Sequence, residues 1–165
     1  MFLSSNPQSD RRQHRLQFRD AWLKHTNEQS LTPLEKQIVS VIEEHPEYHD
    51  QVASLKDEEP VELIDLSRGA SIENPFLHMG LHLALREQVG TDRPAGIKLI
   101  TRRLLTKNAG EGHQVEHMMM DVLAESLWTA QRNNTAPDEQ NYLESLNRLV
   151  SVSYTHLTLP TTPYV

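Results

Sequence analysis

Apolar residues in this chain recur at steps of three and four, and the gaps between runs hold the residues that start and stop helices. Asp10 is placed to cap a first amphipathic helix to about His25, with Leu16, Phe18, Trp22 and Leu23 as its apolar members. Thr32-Pro33-Leu34-Glu35 spells a capping box with proline at the first helical position, opening a second helix that carries Ile38, Val39, Val41 and Ile42. In "EEHPEYHDQV" Pro46 breaks that helix, and a short third one follows. Lys56 to Ala70, acidic and irregular with Pro60 and Gly69, reads as a long loop pinned by Val61, Leu63, Ile64 and Leu66.

Asn74-Pro75 caps a central helix, "NPFLHMGLHLALREQ", which ends near Gly90. Its companion is expected from about Arg93 to Lys107, where "NAGEG" stops it. A long helix follows from about Glu111 to Arg132, then "NNTAPDEQ", and Thr135 with Asp138 starts a last helix to about Leu149. No stretch alternates with period two before the extreme end, so the expected fold is all-α: a single compact bundle of about five to seven helices over residues 1–150.

After Arg148 the composition changes abruptly. "SVSYTHLTLPTTPYV" holds no charged side chain, is rich in threonine and resembles sequencing-adapter read-through. Residues 151–165 are therefore set apart as a non-native or disordered tail.

Composition narrows the function classes. The 165 residues suffice for one domain with a core, and 37% are hydrophobic and 24% charged. A net charge of −7 argues against a general nucleic-acid binder; Arg11, Arg12, Arg15 and Arg19 cluster locally and read as the solvated face of the first helix. The absence of cysteine excludes disulfides, thiolate metal sites and cysteine nucleophiles. No apolar run approaches the roughly 20 residues of a membrane span, and "MFLSSNPQSDRRQHR" lacks the core of a signal peptide. The expectation is a soluble cytoplasmic protein with no nucleic-acid or membrane partner. A protein partner or homo-oligomer has no feature of the sequence behind it.

The chemistry lies in the histidines. Six of nine form pairs at i,i+4: His45/His49, His78/His82 and His113/His117. Random placement would give roughly half of one such pair. This spacing sets both imidazoles on one helix face, within reach of a single ion. His78 and His82 share a face with Leu81, Leu85 and Val89; His113 and His117 share one with Met120, Ala124, Leu127 and Trp128. Both faces are expected to point inward, and facing helices of a bundle are where metal sites are built. Met118, Met119 and Met120 read as core filling.

The expected centre is therefore His78, His82, His113 and His117, with His49 the choice from "HPEYH" should that pair contribute a ligand. Imidazole donors suit a divalent transition metal such as zinc, iron or nickel, and do not suit magnesium or calcium. A ferritin-like di-iron site needs core carboxylates and paired Glu-x-x-His motifs that the sequence lacks. "HQVEH" fits the short inverted zincin pattern, which makes Glu116 a speculative base. The alternative is a non-enzymatic interaction or structural module whose buried histidines are hydrogen-bonded core residues.

Taken together, "LTPLE", "HPEYH", "NPFLHMGLHLALREQ", "DRPAGI", "HQVEHMMMDVLAESLWTAQR" and "PDEQNYLESL" resemble the uncharacterised bacterial family known as domain of unknown function eighteen forty-one, over about Met1 to Val150. The resemblance implies a small, soluble, mostly helical protein and carries no established activity with it.

Overall fold

The computed structural model describes residues 7–57 and 74–156 of the chain, with side chains described over 9–57 and 74–152. The described residues are helical and contain no strand. In chain order the helices are α1 (Pro7–Thr26), α2 (Pro33–Glu43), a 3₁₀ turn (Pro46–Tyr48), α3 (His49–Ala53), α4 (Pro75–Thr91), α5 (Ile97–Lys107), α6 (Gly112–Arg132) and α7 (Glu139–His156). They fall into two compact units: residues 7–57 with 74–83, and residues 84–156. Most of the loop expected over Lys56 to Ala70 lies outside the described residues, as does the tail beyond His156.

In the first unit, α1 packs on α2 and α3 around Phe18, Ala21, Ile38, Val39, Val41, Ile42, Val52, Phe76 and Met79. The capping box at the start of α2 forms as read. Thr32 Oγ1 accepts from the Glu35 amide at 3.2 Å, and Glu35 Oε2 accepts from the Thr32 amide at 2.8 Å. The other Glu35 oxygen accepts from Lys24 Nζ at 2.6 Å, so one carboxylate both starts α2 and ties it to α1. Part of the arginine cluster does more than solvate a face: Arg15 lies 5.1 Å over the Phe76 ring, and Arg19 bonds Asp57 at 2.6 Å and the Leu55 carbonyl at 3.2 Å.

In the second unit, α5 and α6 pack on α7, burying Ile97, Ile100, Leu104, Val115, Met119, Met120, Leu123, Tyr142 and Leu146. Helix α5 begins at Ile97 rather than near Arg93. Asp92 Oδ1 accepts from the Gly96 amide at 3.2 Å and the Lys98 amide at 3.0 Å, which satisfies the donor at the N-cap and one in the first turn. Gly96 holds the left-handed φ of 103° that this helix start needs. Asp138 starts α7 by accepting from the Asn141 amide at 3.0 Å. That helix continues past Leu149 to His156, so residues 151–156 prolong it.

The Lys24 ammonium, and after it the Thr32 amide, hold the Glu35 carboxyl below its ordinary range. A depressed folded-state pKa contributes stability that is present above the unfolded value and is lost as pH falls through the folded one. Glu35→Gln should accordingly be less stable than the parent at neutral pH in urea unfolding, with the difference closing in acid. A gap of equal size at both pH values would contradict this assignment.

Candidate metal centre

Three histidine rings meet in the first unit: His45, His78 and His82. Two of them come from one helix. Asn74 begins α4 by accepting from the Phe76 amide at 3.1 Å and the Leu77 amide at 3.2 Å, and the helix then carries His78 and His82 one turn apart. The third stands just past the end of α2. Pro46 cannot continue that helix, so the chain leaves it at Glu44, and His45 takes a non-helical conformation (φ −126°, ψ 68°) ahead of the 3₁₀ turn. Its ring folds back onto the last turn it has left, with Nδ1 2.7 Å from the Val41 carbonyl.

The geometry is close to threefold. Ring centroids lie 4.9 Å apart for His45 and His78, 4.8 Å for His45 and His82, and 4.9 Å for His78 and His82. The rings are inclined to one another by 78°, 60° and 75°, so each pair meets edge to face or tilted. The Nε2 atoms converge. His78 Nε2 is 3.1 Å from that of His45 and 3.3 Å from that of His82, and the ligand nitrogens all lie within 4.8 Å of one another. His82 is fully buried, His45 is 2% exposed and His78 is half-buried.

A carbonyl oxygen can only accept, so the Val41 contact requires the hydrogen of His45 on Nδ1. In the neutral ring Nε2 is then a bare lone pair aimed into the cluster. A hydrogen bond between His45 and His78 therefore takes its hydrogen from His78 Nε2, and that same hydrogen also faces His82. The inward atoms form a convergent set of nitrogens that could hold a cation, with a backbone carbonyl behind one ring.

The other half of "HPEYH" turns away from the cluster. His49 Nε2 donates to the Ile42 carbonyl at 2.8 Å, and its ring lies 4.4 Å from Trp22. Trp22 also stacks on His25, whose Nε2 is 3.2 Å from Glu43 Oε1. The inward member of the pair is thus His45, and not His49 as expected from the sequence. The signal was available: a histidine just beyond a helix end, followed by proline, commonly caps the last carbonyls.

His113 and His117 stand beside each other in the second unit, with ring centroids 4.2 Å apart. The expected core stripe of α6 is displaced. His113 is exposed and His117 half-buried, while Val115, Met119, Met120 and Leu123 are buried. Turning Val115, Met119 and Leu123 inward removes more apolar surface from water than burying an imidazole would. Glu116, the speculative base, has both oxygens on Arg86, at 2.9 Å from Nε and 3.0 Å from Nη2. That fork makes it a structural ion pair of the second unit.

The model of the family "Domain of unknown function (DUF1841)" matches residues 10–148, and the chain belongs to that family. No curated protein and no solved structure matched the chain. Among the described residues, no helix is long and apolar enough to cross a membrane.

At neutral pH, without added metal, long-range ¹H–¹⁵N correlation spectra should show His45 as the Nδ1–H tautomer, with Nε2 bare. An Nε2–H tautomer for His45 would overturn the hydrogen assignment on which the convergence rests.

Proposed function

We propose that this member of the DUF1841 family binds a divalent transition-metal ion through Nε2 of His45, His78 and His82. The single observation that carries the reading is the pair of Nε2–Nε2 separations, 3.1 and 3.3 Å. A metal bound to imidazole at about 2.0–2.1 Å sets neighbouring nitrogens about 3.0 Å apart in an octahedron and about 3.4 Å apart in a tetrahedron. Both separations fall within that span. Three rings at nearly equal spacing, in planes steeply inclined to one another, also leave each nitrogen its own direction of approach to one point.

Energetics favour the same reading. Neutral imidazoles removed from water cost free energy unless their nitrogens are engaged. One cation engages all three converging nitrogens at once. The Val41 carbonyl behind His45 is the outer partner that a ligating histidine ordinarily has, since it fixes the tautomer and the ring direction. Neutral nitrogen donors select zinc, ferrous iron or nickel over magnesium and calcium. Zinc is the first metal to test, because it accepts either three or four such ligands without a redox requirement. The fourth ligand would decide between a structural ion and a Lewis-acid centre that activates water.

The test is metal analysis of the full chain, any affinity tag removed, by inductively coupled plasma mass spectrometry after zinc loading and desalting. The protein should retain about one equivalent, and His45→Gln and His78→Gln should each lose most of it. Failure of the parent protein to retain zinc, iron or nickel would leave the alternative: a hydrogen-bonded histidine core in a protein that works by interaction.

A further inference from the structure

The aromatic ring beside the cluster belongs to Tyr48. Its ring lies nearly parallel to that of His45, at 9° with centroids 5.4 Å apart, and meets His78 edge to face at 6.0 Å. Its position follows from the turn after α2: Pro46 opens the 3₁₀ turn, and the Tyr48 amide donates to the carbonyl of His45 itself at 2.9 Å. The residue whose ring covers His45 is therefore tied by its backbone to His45. Tyr48 also packs against the core of the first unit.

We propose that Tyr48 is a positioning residue of the metal centre, acting through its ring face on His45. The inference rests on the metal reading above. His45 is then held from two directions: the Val41 carbonyl fixes its tautomer and the Tyr48 face fixes its plane. The stack also discriminates between the empty and the loaded state. A bound cation draws electron density from the His45 imidazole, and an electron-deficient ring gains more from the negative face of a phenol than a neutral one does. The gain appears on metal binding, so it enters affinity as well as folding. The ring face rather than the hydroxyl meets His45, so phenylalanine should replace it.

The experiment uses Co²⁺ as a visible probe on the full chain, comparing the parent, Tyr48→Phe, Tyr48→Leu and a variant carrying pentafluorophenylalanine at position 48. Binding is followed through the cobalt d–d bands, and urea unfolding of each metal-free protein reports packing separately. Tyr48→Phe should keep the parent's affinity and band positions. Tyr48→Leu and the fluorinated variant should each bind about tenfold more weakly with shifted bands, the range usual for partners that orient a ligating histidine. The fluorinated ring keeps the shape and reverses the charge of the face, so it carries the test if the leucine variant does not fold.

Equal affinity and identical bands across all four proteins would overturn the role of Tyr48 while leaving the metal site standing. A Tyr48→Phe variant as weak as Tyr48→Leu would overturn the ring-face mechanism. A parent protein that takes up no cobalt would overturn the metal reading, and this inference with it.

Discussion

The last turn of α2 governs the site, because its carbonyls are claimed by imidazoles. Val41 O holds His45 through Nδ1 and Ile42 O holds His49 through Nε2. Helix ends leave carbonyls that need donors, and the negative end of the helix dipole favours partners able to carry positive charge. Pro46 makes the arrangement obligatory: it ends the helix where the His45 ring can fold back, and it starts the turn that sets Tyr48 over that ring. One hydrogen bond to Val41 thereby determines which nitrogen of His45 faces His78 and His82.

The neighbourhood of this turn is otherwise apolar. Val41 and Ile42 on α2 and Met79 on α4 are fully buried beside the histidines. Such surroundings would normally be filled with leucine, and a buried imidazole is tolerated only where its nitrogens are engaged. Three imidazoles gathered at one point, two of them almost without exposure, depart from what stability alone favours. Departures of this kind are expected at functional sites, and the proposed metal site would account for this one.

Much of the fold was legible because its signals are local. The capping box at Thr32, the Asn74 cap of α4 and the Asp138 start of α7 each rest on a side chain bonding an amide two or three residues away. The start of α5 was misplaced because it depends on Asp92 reaching forward to Gly96 and Lys98, a loop geometry that periodicity does not encode. His78 and His82 were found by their spacing. His45 was not chosen, since its partners are 33 and 37 residues further along the chain and only the packing of α4 beside the end of α2 brings them together. The α6 stripe was misjudged for a related reason. Several phases of that helix carry apolar residues, and the better-packed one, through Val115, Met119 and Leu123, won.

Anomalous scattering from a zinc-loaded crystal, measured on either side of the zinc absorption edge, would locate the metal directly. One strong peak is expected about 2.0–2.1 Å from Nε2 of His45, His78 and His82, with His45 Nδ1 still on the Val41 carbonyl. A peak placed elsewhere, or a map with no peak among these three nitrogens, would contradict the proposed site.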